Sequence, residues 1–472
     1  MIKKWLKRLG KLLLVVALLL TVAWWFENWR GARAWEEAQE RAKEAGLSLD
    51  LADYQPPPVP DEENLLKNPI FLKEWNGEIE PKLRSWTSIG LPNVKDYIQA
   101  YSKPTSGESV DHREYFEEEL TTDEANERLD QISQGIQARL DQLSGILLTY
   151  PAHNLGRVNH NLEIDSTPSA QVDSLQNLAN CLKSQAILAL HLGRPDTALR
   201  NINCLIRMEE AFCRGSFLSG LLRSVLQGVT DTIIWEGILL HAWSPEHLHM
   251  IARSLDQRDH FDDFENVLKI ETLYSVQGVD HLEEIQKSTN DVLEEITGRE
   301  STPTLRERFL FHLKTGGPSG WDDQRKAIIV DNGLRLLDEF QNEELKERPG
   351  GINHDYDVEQ NYDPFQYARE QETGMRRFVT FLLKHETETR IAQIAVAAEQ
   401  FYLKHSHYPD SLEAMNCDFE TADALDPKGR TLSYQLDENG RPQIWSQVDR
   451  TIRWQFSPEE KKQKPRKGKR GR

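Results

Sequence analysis

Apolar and polar positions alternate differently in four parts of the chain. Residues 12–26 form an uninterrupted apolar run, LLLVVALLLTVAWWF. Residues 27–46 are dense in Ala, Glu, Arg and Lys, which predicts a helix closing at Gly46. Between 172 and 255 apolar residues recur at i, i+3, i+4 and i+7, the spacing that lines one face of a helix. Leu175, Leu178, Ala179, Leu182, Ala186, Ala189 and Leu190 make the first such stripe, broken at Gly193-Arg194-Pro195-Asp196. Asp196 is expected to cap a second helix carrying Ala198, Ile202, Leu205 and Ile206. A third carries Leu218, Leu221, Leu222, Val225, Val229 and Ile233. Ser244-Pro245-Glu246 supplies a cap, a proline at the first helical position and an early acid for a fourth, with Leu248, Ile251 and Leu255 inside. Helical, charged sequence continues through 257–300 and 322–346, parted by a loop at 314–320. It resumes at about 375–404, where Ile391, Ile394, Ala395, Ala398 and Tyr402 share a face. The period then falls to two. Residues 431–436 and 443–446 alternate like strands, and Asn439-Gly440 between them is a two-residue hairpin signal.

Local punctuation completes the map. Thr121 and Glu124 fit a capping box opening a helix to about 148, whereas 61–120 is irregular. Gln55-Pro56-Pro57-Pro58-Val59-Pro60 reads as an extended spacer. The polar stretch 347–373, with Pro349-Gly350-Gly351, reads as a linker. The expected fold is mainly α: a transmembrane helix, a helical body and a small α+β module. Its parts are a basic segment 1–11, an anchor 12–26, a stalk and spacer 27–60 and a body 61–346. A linker 347–373, a module 374–456 and a disordered basic tail 457–472 follow. On this reading the stalk and spacer hold the body off the bilayer.

The apolar run is short for about 30 Å of hydrocarbon, although Leu9 and Gly10 extend it and Lys11 can snorkel. Leu12 and Leu20 would sit in the core, with Trp24, Trp25, Phe26 and Trp29 near the interface. A cleaved signal peptide is the rival reading, since Thr21 and Ala23 make an imperfect small-residue site. Lys3, Lys4, Lys7, Arg8 and Lys11 precede the span, against Arg30, Arg33 and Arg41 after it. That bias places the N-terminus in the cytoplasm and the body outside, in the periplasm.

Charge sharpens this picture. The net charge is −19, and with the basic ends set aside about −30 rests on the body. An acidic body repels phosphates, which argues against nucleic acid as a partner. The tail residues Lys461, Lys462, Lys464, Arg466, Lys467, Lys469, Arg470 and Arg472 suit anionic lipid or an anionic envelope polymer, or simply a solvated end.

Several stretches resemble known families. Ala186, Leu190, Gly193, Ala198 and Leu199 have the spacing of a tetratricopeptide helical hairpin over 172–210, with an ordinary bundle as the alternative. A long helix, Tyr408-Pro409-Asp410-Ser411-Leu412, Asp426-Pro427-Lys428-Gly429 and two strands together resemble the soluble domain of type II secretion pseudopilins. That resemblance implies a helix packed on a small antiparallel sheet. It implies neither filament assembly nor calcium, because the membrane segment is missing from that helix and Ser446-Gln447-Val448-Asp449 replaces the Gly-rich calcium loop. The whole chain is also similar to uncharacterised bacterial single-span proteins. Asn28-Trp29-Arg30-Gly31, Ala34-Trp35-Glu36, the proline run with Asp61-Glu62, and Trp235-Glu236-Gly237 carry that likeness.

Candidate chemistry is sparse. There is no phosphate-cradling GxxxxGKS or GxxxxGKT loop, no GxGxxG, no nucleophile elbow and no HExxH. The four cysteines lack zinc spacing, and they read as buried thiols, with a Cys204–Cys213 disulfide as the alternative. His241, His247, His249 and His260, or His354, Asp355, Asp357 and Asp363, are the residues a metal-dependent hydrolase would draw on. Solvated or capping roles fit them better. No enzyme, cofactor or metal is expected. The expectation is a membrane-tethered interaction scaffold with unidentified protein partners, and an accessory subunit of a secretion or pilus-like machine is the second reading.

Overall fold

In a computed structural model the described residues are 2–54, 60, 120–149, 169–211, 217–261, 264–281, 318–342, 366–415, 432–446 and 453–455. Among them nine α-helices occur: α1 Ile2–Glu44, α2 Thr122–Thr149, α3 Ser169–His191, α4 Pro195–Ala211 and α5 Phe217–Leu239. The others are α6 Pro245–Asp256, α7 Phe264–Asp280, α8 Ser319–Gln341 and α9 Gln366–His405. Strands β1 Ser433–Leu436, β2 Pro442–Trp445 and β3 Arg453–Gln455 form one antiparallel sheet in the order β1-β2-β3.

Local signals set many of the boundaries. The Thr121 hydroxyl accepts the Glu124 N–H at 3.3 Å while Glu124 accepts the Thr121 N–H at 2.9 Å, which opens α2. Ser244 caps α6 through the His247 N–H, followed by Pro245. Gly46 closes α1 in the left-handed region, at φ 71°, and Leu47 reaches back to the Ala42 carbonyl at 2.8 Å. Asp196 does not cap α4. Pro195 is already the first helical residue, so Asp196 stands in the first turn, where its carboxylate meets His247 Nε2 at 3.0 Å.

The stripes of α3, α4 and α6 face inward, with Leu182, Ala186, Ala198, Ile202, Leu205, Leu248, Ile251 and Leu255 all buried. On α5 Val225 points out and Leu226 takes the inner place. This helix is apolar on more than one side and packs on α3, α4 and α9, so spacing alone could not choose its inner face. The loop expected at 314–320 ends earlier, since Ser319 already belongs to α8.

The C-terminal module is not separate. Helix α9 begins at Gln366, inside the segment that reads as a linker, and its 40 residues thread three apolar clusters. Ala368 packs with Val276, Val330 and Ala38, and Phe378 and Leu382 pack with Phe264 and Leu336. Ile391, Ile394 and Ala398 join α3–α6 together with Tyr408, Leu432 and Ile444. The hairpin also differs from a two-residue turn. Asp437 donates to the Arg441 carbonyl and Gly440 to that of Asp437, with Gly440 at φ 72°. That is a three-residue loop with a left-handed residue at its end. Asp437 Oδ1 decides it by accepting the N–H groups of Asn439 and Arg441 at 2.8 and 2.9 Å.

The stalk does not stand free. From Glu27 onward α1 lies alongside α8, with Ala38 and Ala42 fully buried between them and α7. Alanines at that spacing leave a smooth face that another helix covers. Residues 61–119, the spacer at 55–59 and the tail at 457–472 lie outside the described residues.

Candidate functional site at the foot of the apolar helix

One unbroken helix carries both the apolar run and the buried stalk. Its 18-residue apolar window has a mean hydropathy of 2.2 and none of it is buried. Leu12, Leu20, Trp24, Trp25 and Phe26 are all exposed along it. The helix is long and apolar enough to cross a membrane.

The change from exposed to packed is abrupt. Immediately after Phe26, Glu27 Oε2 accepts the Trp321 indole N–H at 3.2 Å and the Gln324 amide at 3.3 Å. Asn28 Oδ1 accepts the Gly320 N–H at 3.0 Å, and Ser319 Oγ lies 3.3 Å from it. Arg30 bridges Gln324 and Glu27, each at 2.8 Å. At Gly31 the two backbones touch: a Cβ there would stand 2.0 Å from the Gly320 carbonyl oxygen, and one on Gly320 2.2 Å from that of Glu27. Further out, Arg41 grips Asp331 with two bonds of 2.9 and 3.0 Å. Helices α1 and α8 therefore run side by side in the same direction, starting at the boundary of the apolar run.

A second polar constellation lies deep in the body. Arg258 donates to Asp231 at 2.6 Å and stands 3.6 Å from Glu209, with its side chain 6% exposed. Burial pushes the Glu209 carboxyl up to about 7 despite the guanidinium. Asp231 is raised as well, again through burial. Nearby, His260 bonds Thr389 at 2.9 Å, and burial with the Arg258 charge lowers its imidazole to about 3. The two groups oppose each other in their effect on stability. Glu209 favours the fold fully below about 4.5, and that contribution is lost as pH rises through about 7. His260 favours it above about 6.5, and that contribution is lost as pH falls toward 3. Arg223, Asp231, Arg258, His385 and Arg390 face these groups and are present in every variant compared. Relative to the native chain, His260→Gln should gain about 2–3 kcal/mol on going from pH 6.5 to 4.5, and Glu209→Gln should lose a similar amount. Urea midpoints at the two pH values check both signs.

The histidines singled out from sequence do not converge. His241 Nδ1 bonds the fully buried Glu399 at 2.8 Å, whose other oxygen accepts the Tyr408 hydroxyl at 2.9 Å. Tyr402 stacks on His241 and on Tyr408. His247 serves Ser244 and Asp196, His249 is exposed, and His260 serves Thr389. His241 occupies the left-handed position ending α5, at φ 48°. Its carboxylate partner fastens the Tyr408-Pro409 turn to α9, and Tyr434 holds the Pro409 carbonyl at 2.8 Å. No group of three His, Cys, Asp or Glu side chains among the described residues is placed to hold a metal.

Comparison with protein-family models, curated proteins and solved structures finds no match.

The remaining sequence candidates divide simply. Cys204 is a buried free thiol, raised by burial, while Cys213 falls outside the described residues. So do His354, Asp355, Asp357 and Asp363, and tail residues Lys461, Lys462, Lys464, Arg466, Lys467, Lys469, Arg470 and Arg472. Sequence reasoning missed the Gly31–Gly320 contact and the Glu209–Arg258–Asp231 group. Gly31 did carry a signal. A glycine inside a run of strong helix formers costs about 1 kcal/mol against alanine, so it marks a close approach.

Proposed function

We propose that this chain is a single-span membrane protein of the cell envelope, with its N-terminus in the cytoplasm and an acidic helical body outside. The body acts as a non-enzymatic scaffold for protein partners. The observation supporting this is the exposed apolar stretch of α1 continuing without a break into a helix packed in the body. Water would not leave some 18 residues of apolar helix uncovered, and a bilayer covers them. The orientation follows from the basic residues ahead of the span. The scaffold role draws on stacked helix pairs such as α3–α4, an architecture of the kind that takes partner segments.

Membranes washed with alkaline carbonate should retain the full-length chain, and a C-terminal reporter active only outside the cytoplasm should report. Release by carbonate, or a reporter active only in the cytosol, would sink this reading. Crosslinking in intact membranes followed by pull-down tests the scaffold role, which fails if no reproducible partner is recovered.

One observation favours accessory service to a secretion or pilus-like machine. The 40-residue α9 contacts β2 and β3 of the small antiparallel sheet, and a helix packed on such a sheet is what the pseudopilin resemblance implies. Deletion should then reduce secretion through such a machine.

A further inference from the structure

We infer that the start of α8, around Ser319 and Trp321, is seated in the lipid headgroup layer, so that the body rests directly on the bilayer. This rests on the membrane reading above and adds to it a defined contact surface. At 1.5 Å per residue the 18 residues from Leu9 to Phe26 span about 27 Å, against a hydrocarbon thickness of about 30 Å. The run has no length to spare. Its last apolar residue must stand at the edge of the hydrocarbon, and Glu27 immediately outside it.

The headgroup zone adds roughly 5–8 Å on each side of that core. Asn28, two residues beyond Phe26, lies about 3 Å further along the helix and holds the Gly320 N–H and the Ser319 hydroxyl. Glu27 holds Trp321 and Gln324. The first turn of α8 is therefore bound to that part of α1 which falls inside the headgroup zone. Backbone contact at Gly31 and Gly320, together with the Arg41–Asp331 pair, leaves it no room to swing away.

The residues at this level suit the place. Ser319 and Trp29 are exposed, and Trp321 is half-buried with its indole N–H bound to Glu27. Arg33 lies over the Trp29 ring at 5.9 Å with its side chain 64% exposed. Indole rings and arginines are the side chains that settle among headgroups, one through its amphipathic ring and the other through phosphate. The occupant of this surface is the bilayer that holds the span.

The test uses full-length protein in vesicles of phosphatidylethanolamine and phosphatidylglycerol. A photoreactive benzoylphenylalanine replaces Ser319 in one preparation and Asp338 in another, about 28 Å further along α8. Illumination should give lipid adducts by mass spectrometry at 319, at least tenfold more than at 338. A polar helical heptad, Glu-Ala-Lys-Ala-Glu-Ala-Lys, inserted between Phe26 and Glu27 adds about two turns and lifts the body about 10 Å on nearly the same helix face without lengthening the apolar run. That insertion should abolish the adducts at 319 while carbonate retention is unchanged. Gly31→Leu, which forces α1 and α8 apart, should lower them without releasing the protein. Absence of lipid adducts at 319 in carbonate-retained protein overturns the seat alone, as does their persistence after the insertion. Release of the native chain by carbonate overturns the seat and the membrane reading together.

Discussion

Replacing Arg258 by methionine should cost the body about 3–5 kcal/mol at pH 8, the largest loss expected from any single charge removal in this fold. The guanidinium is the cation standing between Glu209 and Asp231, and both carboxyls are already pushed upward by burial. Methionine fills much of the volume but leaves two buried carboxyls without their cation, which at pH 8 must either stay charged and unpaired or take up a proton. The cost should shrink at acid pH. Glu209 carries its proton below about 7 even with Arg258 present, and without that charge it holds the proton more firmly. Arg223 reaches the same carboxyl, and its charge persists in the variant. Urea midpoints at pH 8 and pH 5.5 should therefore differ more for Arg258→Met than for the native chain. Equal losses at both values would mean that Glu209 does not feel Arg258.

The second large effect lies at Trp243. Its ring is 2% exposed, and its indole N–H donates to the Ile234 carbonyl at 3.0 Å. Trp243→Ala should lose about 3–5 kcal/mol, since it removes the largest fully buried side chain among the described residues together with its indole hydrogen bond. Gly237→Ala should also destabilise, because a Cβ there would stand 2.1 Å from the indole ring. Combining the two separates crowding from helix propensity. With the ring gone the new methyl has room, so the double variant should be no less stable than Trp243→Ala alone. Additive losses would show that Gly237 is required for some reason other than the ring.

What the sequence disclosed was what short-range chemistry decides. Ser244-Pro245, the Thr121–Glu124 box, Gly46 and the stripes of α3, α4 and α6 each act within a turn or two. Residue types at fixed spacing are enough to recognise them. What it hid depends on elements meeting across long stretches of chain. Gly31 meets Gly320, His241 meets Glu399 and Arg258 meets Glu209, and nothing local in either partner specifies the other. The packing of the stalk is hidden for the same reason. Residues 27–46 read as a helical stalk from their Ala, Glu, Arg and Lys, and only the placement of α8 makes Ala38 and Ala42 interior. Val225 shows the opposite limit, a correct helix whose inner side could not be chosen from spacing when several sides are apolar.

The joint between α1 and α8 has a further consequence for encounters within a membrane. A domain on a loose tether samples every heading, and a partner must wait for the right one. On the membrane reading proposed above, the apolar segment of α1 and the folded part would turn as one object, so lateral diffusion and spin about the bilayer normal would be the motions left to it. Two such molecules, or one and a neighbour, would meet with their flanks already upright. Association then needs only a search in the plane, and a few modest contacts high on the flank suffice to hold a complex together.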